Sequence, residues 1–175
     1  MLAKILRNCE RRAKQSLLQV NSIAMPTYNK TMNLPYKPEQ MFELVSEVER
    51  YPDFVRWVSA LRVLNPQTEG SVRTCVGEAV VAFKGFTQTF ATNVRADTQA
   101  CTVDVSLVRG PLKHLKNKWT FEPDGEAGCK VHFDVDYDFD NFILRALARA
   151  NHDLAVDRIM QTFLAEAQRR YGAQA

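Results

Sequence analysis

Met41-Phe-Glu-Leu-Val-Ser-Glu-Val-Glu-Arg-Tyr-Pro-Asp-Phe-Val-Arg-Trp57 joins an amphipathic helix to a proline break and a group of large aromatics. Met41, Leu44, Val45 and Val48 form one apolar stripe at helical spacing, with Phe42 beside it. Pro38 suits the first helical turn, where its missing N–H removes no hydrogen bond. Pro52 forbids continuation and pushes Tyr51 out of the α region, so the helix is expected to run until that proline stops it. Asp53 to Trp57 then reads as a short helical turn whose Phe54 and Trp57 need a surface to cover.

Between Asn29 and Asp140 the apolar period changes to two. Strands are expected at Asn29–Leu34, Ser59–Leu64 (closed by Asn65-Pro66 and Glu69-Gly70), Ser71–Phe83, and from Phe86 beyond a Lys84-Gly85 turn. Cys101, Val103, Val105 and Leu107 mark the next apolar face, which Arg109-Gly110-Pro111 ends. Leu115, Asn117, Trp119 and Phe121 mark another, with Lys116 and Lys118 opposite. After the turn cluster at 123–128, Val131, Phe133, Val135, Tyr137 and Phe139 alternate with His132, Asp134, Asp136 and Asp138. A single long helix from Asn141 to about Tyr171 carries Val156, Ile159, Met160, Phe163, Leu164 and Ala167 on one stripe, and Gly172 stands at its C-cap position. Strand, two helices, six strands and a last helix make an α+β domain whose antiparallel sheet must curl around that helix to bury its apolar face.

Composition sets bounds. The chain has 175 residues, 46% apolar and 25% charged, enough for one domain with a true core. A net charge of +3 is too slight to argue for DNA or any other nucleic acid. No apolar run approaches the length of a membrane span. Cys9, Cys75, Cys101 and Cys129 are scattered, without zinc-ligand spacing, and read as small apolar fillers in a reducing compartment.

Residues 1–28 differ in character from residues 29–175. Leu2, Ile5, Leu6, Cys9, Ala13 and Leu17 recur at helical spacing, Lys4, Arg7, Arg11, Arg12 and Lys14 fill the other side, and Glu10 is the only acid. A basic, amphipathic, acid-poor leader is the profile of a mitochondrial transit peptide. A retained helix lying on a membrane surface or a partner is the alternative. Both are attracted to anionic surfaces.

No catalytic constellation stands out. His114, His132 and His152 lie at no recognisable spacing from a cysteine or serine. Asp134, Asp136, Asp138 and Asp140 sit on alternating strand positions and lack the loop glycine of a calcium site, so they read as a solvated strand face. Lys113, Lys116 and Lys118 likewise read as a charged face. Neither a metal nor a catalytic cofactor is expected.

The opening stretch, Val103-Asp-Val-Ser-Leu-Val-Arg-Gly-Pro-Leu112, Leu115-Lys-Asn-Lys-Trp-Thr-Phe121 and Ala165-Glu-Ala-Gln-Arg-Arg-Tyr-Gly172 together resemble, in order and spacing, the coenzyme-Q-binding START-domain proteins and their bacterial relatives, the ribosome-association toxins, within the polyketide cyclase/lipid-transfer superfamily. The resemblance covers about residues 31–172. It implies a START-like helix-grip fold, a curved antiparallel sheet around the C-terminal helix with an apolar cavity between them. It further implies ubiquinone as bound ligand, a lipid-chaperone role in respiratory electron transport and coenzyme Q biosynthesis, and no enzymatic activity. The implied location is the matrix side of the mitochondrial inner membrane, near respiratory complexes, or the bacterial cytoplasm if the leader is no transit peptide.

On that basis the cavity is expected to be lined by Tyr51, Phe54, Trp57, Phe86, Phe90, Leu107, Leu112, Trp119, Phe133, Met160 and Phe163, with Gln88, Thr92 and Asn117 as polar residues for a headgroup. In an unknown fold the same aromatics would read as plain core. Gly110, Pro111 and Leu112, with Phe142 and Ile143, are expected to form a membrane gate. A ribosome-associated factor and a cyclase/aromatase-type enzyme are the alternatives.

Overall fold

Strand β1 (Thr27–Leu34) leads into helix α1 (Pro38–Ser46), a 3-10 turn (Val48–Arg50) and the short helix α2 (Tyr51–Phe54). Six strands follow: β2 (Val58–Glu69), β3 (Val72–Phe83), β4 (Phe86–Asp97), β5 (Thr102–Arg109), β6 (Leu112–Asp124) and β7 (Gly128–Phe139). Helix α3 (Phe142–Tyr171) comes last. The computed structural model describes residues 27–83, 86–139 and 142–172, with the side chains at 83, 86 and 142–152 outside that description. Residues 1–26 of the expected leader and the Lys84-Gly85 turn therefore lie outside the described residues, while Thr27 and Tyr28, expected to belong to the leader, already form part of β1.

All seven strands pair antiparallel in one sheet, in the order β1-β7-β6-β5-β4-β3-β2. Each strand after β1 neighbours the next in sequence, and β1 returns to pair with β7. Helix α1 packs on β5, β6 and β7, while α3 packs on α1 and β7, so both helices lie on one face of a curved sheet. That inner face carries the core. Val103, Trp119 and Phe133 lie side by side across β5, β6 and β7 and are at most 5% exposed. Leu44, Val45 and Met41 of α1 and Met160, Phe163 and Ala167 of α3 close over them.

Two local expectations are corrected. Helix α1 ends at Ser46, well before Pro52, because Glu47 turns out of helical geometry (ψ 60°) and the Tyr51 hydroxyl donates to the Val45 carbonyl at 2.6 Å. That bond satisfies a carbonyl the helix end would leave open. Pro52 instead occupies the first turn of α2, where proline is welcome. Asn65-Pro66 does not close β2 either; of the two expected stops, Glu69-Gly70 is the one that does, with Gly70 at φ 58°. The strand passes through Asn65-Pro66 as a bulge, with Asn65 at φ 49° and the register shifting between Leu64 and Gln67.

The end of α3 is held by polar groups. Glu166 is 4% exposed and accepts from both Arg169 and Arg170 at 2.7 Å. Arg170 also donates to Glu47 at 2.8 Å, and Tyr171 donates to the Gln40 carbonyl at 3.1 Å. The Arg169 and Arg170 bonds hold the Glu166 carboxyl down to a pKa of about 2. Gly172 takes φ 75° and its N–H bonds back to the Gln168 carbonyl, the C-cap that the sequence predicts.

Candidate functional site

Strand register decides which inner-face residues are covered. Toward the α1 end of the sheet the interior is filled. Trp119 packs 4.3 Å from Phe133 between ring centroids, and Phe163 stands 5.4 Å from each of Trp119, Tyr51 and Phe54. These five expected cavity residues, with Met160 at 2% exposure, come together as a closed cluster. Such aromatic pairs add to the area they bury, so the cluster is a rigid block at one end of the interior.

Toward the other end the inner face is only partly covered. Leu61, Val63, Val81, Phe90, Val105, Leu107, Leu115, Tyr137 and Phe139 are all half-buried on the sheet side that faces α3. Gly77 lies among them, opposite Thr92 on β4. A methyl added at Gly77 would meet only Thr92 Oγ1 at 3.8 Å and Val94 Cγ2 at 3.9 Å, so the glycine leaves room beside the threonine. The alternating pattern of β3 does not single out Gly77, although a glycine inside a strand signals close approach or a missing side chain.

The three expected headgroup residues separate. Gln88 shares a face with Thr92 but sits near the strand end and is exposed. Thr92 is 7% exposed and paired with Leu107. Asn117 stands between Val105 and Val135, and its Oδ1 is buried without a hydrogen-bond partner. A buried acceptor left open costs about 1–3 kcal/mol unless something fills it, which makes Asn117 the most conspicuous polar group of this surface.

Trp57 lies elsewhere. It packs half-buried against Val55, Val58 and Ala79, and with Phe54 it edges an open groove of about 640 Å³ against Leu154, Arg158 and Arg169 on the outside of α3. The side chain of Phe86 lies outside the described residues.

The turn between β5 and β6 is flanked by irregular pairing on both sides. Both flanking strands bulge, β5 at Val108 and β6 at Lys113, because the register shifts at each. The bulge turns Val108 out to 50% exposure. Gly110 is pressed onto β4: a Cβ there would lie 2.5 Å from the Phe90 Cβ. Arg109 reaches across the small Ala91 to Glu78, which also receives Arg62. Gly110 therefore allows a close approach of this turn to β4 that a larger residue would prevent. Leu112 is half-buried opposite Phe139, and the side chains of Phe142 and Ile143 lie outside the described residues.

The acids on the outer face of β7 are hydrogen-bonded. Asn29 donates to Asp134 at 3.1 Å, His114 bonds Asp136 at 2.9 Å, and Asp138 accepts from the Phe139 N–H. Among the described residues no group of three or more His, Cys, Asp or Glu is placed to hold a metal. Cys75 and Cys129 are buried free thiols, and burial pushes Cys129 up to about 11, which makes it an inert filler. No described helix is long and apolar enough to cross a membrane.

A family model described as polyketide cyclase/dehydrase and lipid transport matches residues 34–164. The chain belongs to that family. It is 32% identical over 153 residues to the ribosome association toxin RatA of Escherichia coli K12, covering 87% of this chain and 93% of that one. It is 27% identical over 144 residues to the mitochondrial coenzyme Q-binding protein coq10 of Schizosaccharomyces pombe, covering 81% of this chain and 86% of that protein. An 18 kDa protein of Caulobacter crescentus, known from a solution structure, superposes with a TM-score of 0.72 at 41% identity, covering 85% of this chain and all of the other. The curved antiparallel sheet with its C-terminal helix is the fold of this family.

Proposed function

We propose that the protein binds a polyisoprenoid quinone against the half-covered end of its inner sheet face and carries it as a lipid chaperone, without chemical conversion. The observation that supports this most is the contrast along one face: a closed aromatic block at one end, then a run of half-buried apolar residues with a single unsatisfied amide among them. At roughly 25 cal/mol per Å² of apolar surface removed from water, part of an isoprenoid tail laid along Phe90, Leu107, Leu115 and Tyr137 yields several kcal/mol. Similarity to a coenzyme Q-binding relative agrees with that chemistry. Respiratory electron transport and quinone biosynthesis are the processes such a carrier would serve, and mitochondria its location if the leader directs it there.

Lipid has to enter from a bilayer. The exposed Val108, half-buried Pro111 and Leu112, and the exposed Lys113 give the β5–β6 tip the mixed apolar and basic character of a docking edge. Phe142 and Ile143 at the start of α3 complete the proposed gate.

Organic extraction of the purified protein followed by mass spectrometry tests the reading. A stoichiometric prenylated quinone supports it, and an extract free of quinone from a quinone-producing cell refutes it. Ribosome association is the second reading, favoured by the bacterial relatives at about 30% identity. Co-sedimentation with ribosomal subunits at physiological salt distinguishes the two.

A further inference from the structure

We infer that the Asn117 amide and the Thr92 hydroxyl clasp the oxygenated ring of the quinone, so that the ring lies innermost and the tail runs out toward the Gly110-Pro111 turn. This rests on the quinone-carrier reading and adds the orientation of the ligand and its polar contacts.

Asn117 is on β6 and Thr92 on β4, each one strand away from β5 and on the same face. Two strand spacings and a two-residue offset along β5 separate their backbones by about 12 Å. Their neighbours on β5 are Val105 and Leu107, so a flat ring resting on these two side chains has one polar group on either side. A para-quinone has its two oxygens on opposite edges of the ring, which matches that arrangement. Gly77, beside Thr92, leaves the space a ring substituent needs.

The direction of the ligand follows from burial. Along β6, the residue after next on Asn117's face is Trp119, 5% exposed and part of the closed block, so nothing long fits beyond it. In the other direction Leu115 and then Leu112 are half-buried and lead to the tip. A short ring fits the closed end, and an extended tail fits the open one. The orphaned Asn117 oxygen is covered as placed, and a turn of the side chain lets it accept from a quinol hydroxyl. Turning the amide about its last bond presents its NH₂ to a quinone carbonyl, so one side chain serves both redox forms.

The chain has two tryptophans, Trp57 and Trp119. A Trp57→Phe protein therefore reports on Trp119 alone, and a quinone ring in contact with an indole quenches its emission. Titration with decyl-ubiquinone should give saturable quenching. Asn117→Leu and Thr92→Val should each weaken binding about five- to tenfold, the size of one lost neutral hydrogen bond, and leave the affinity for a ring-less isoprenoid hydrocarbon unchanged. Thr92→Val is nearly isosteric and keeps the test decisive if Asn117→Leu folds poorly. Unaltered quinone affinity in the folded variants overturns the inference alone. So does unquenched Trp119 while equilibrium dialysis shows quinone bound, since the ring would then face outward. Dialysis showing no quinone on the parent protein overturns the carrier reading as well.

Discussion

Arg170, near the end of the last helix, donates to Glu47 just past the end of the first, at 2.8 Å across 123 residues of sequence. The same guanidinium bonds Glu166 and lies over the Phe54 ring, 5.8 Å from its centroid. Two helices and the aromatic block are thus joined through one side chain, and this explains why acids, arginines and tyrosine crowd the C-terminal segment.

Glu166 makes that joint pH-dependent. Its folded pKa of about 2 lies below the ordinary 4.5, so the stability it lends is fully present above about pH 4.5 and is lost as pH falls toward 2. The shift corresponds to about 2 kcal/mol once solvent around the exposed Arg169 is allowed for. Glu166→Gln is expected to lower stability by about that amount at pH 7 and to flatten its dependence between pH 5 and 2, as read by urea unfolding. An unchanged pH profile would remove Glu166 from the account.

Gly110 in the β5–β6 turn and Gly77 inside β3 should behave oppositely. Gly110→Ala places a methyl 2.5 Å from the Phe90 Cβ on adjoining backbone and should destabilise by about 1–3 kcal/mol. Gly77→Ala meets nothing closer than 3.8 Å and should be tolerated, while Gly77→Leu fills the space beside Thr92 and should reduce co-purifying quinone. Thermal melts and quinone extraction on the same samples give both results.

The two tryptophans, expected alike from sequence, are separated by the fold. Trp119→Ala opens the closed block and should cost about 3–5 kcal/mol. Trp57→Ala removes a half-buried side chain from a satellite cluster, should cost less, and should leave a cooperative melt. Quinone retained at the normal level by folded Trp57→Ala protein would assign that residue to packing.

Docking through the β5–β6 tip predicts that Leu112→Asp combined with Phe142→Asp abolishes flotation with anionic liposomes. Val108→Asp alone, at a position already half exposed, should weaken it with little change in melting temperature. Flotation at the parental level in the double variant would place the membrane edge elsewhere.

The leader reading predicts a mature chain beginning between residues 20 and 32. N-terminal sequencing of the native protein checks this directly, and recovery of an intact Met1 would refute it.

Periodicity is a local property, and what it governs was legible in the sequence. Val131, Phe133 and Val135 against His132, Asp134 and Asp136 fixed the two faces of β7, and the Val156 to Ala167 stripe fixed the buried side of α3. The α+β class follows from those two periods alone. What tertiary structure decided is non-local. Whether Trp119 and Phe133 close a block or line a space depends on Phe163 arriving from the far end of the chain. Gln88, Thr92 and Asn117 look alike in an alternating pattern, yet only register and coverage leave one exposed, one buried and one orphaned. The bulges at Asn65-Pro66, Val108 and Lys113 were hidden for the same reason: a bulge is a mismatch between two strands, and neither strand's sequence contains the other.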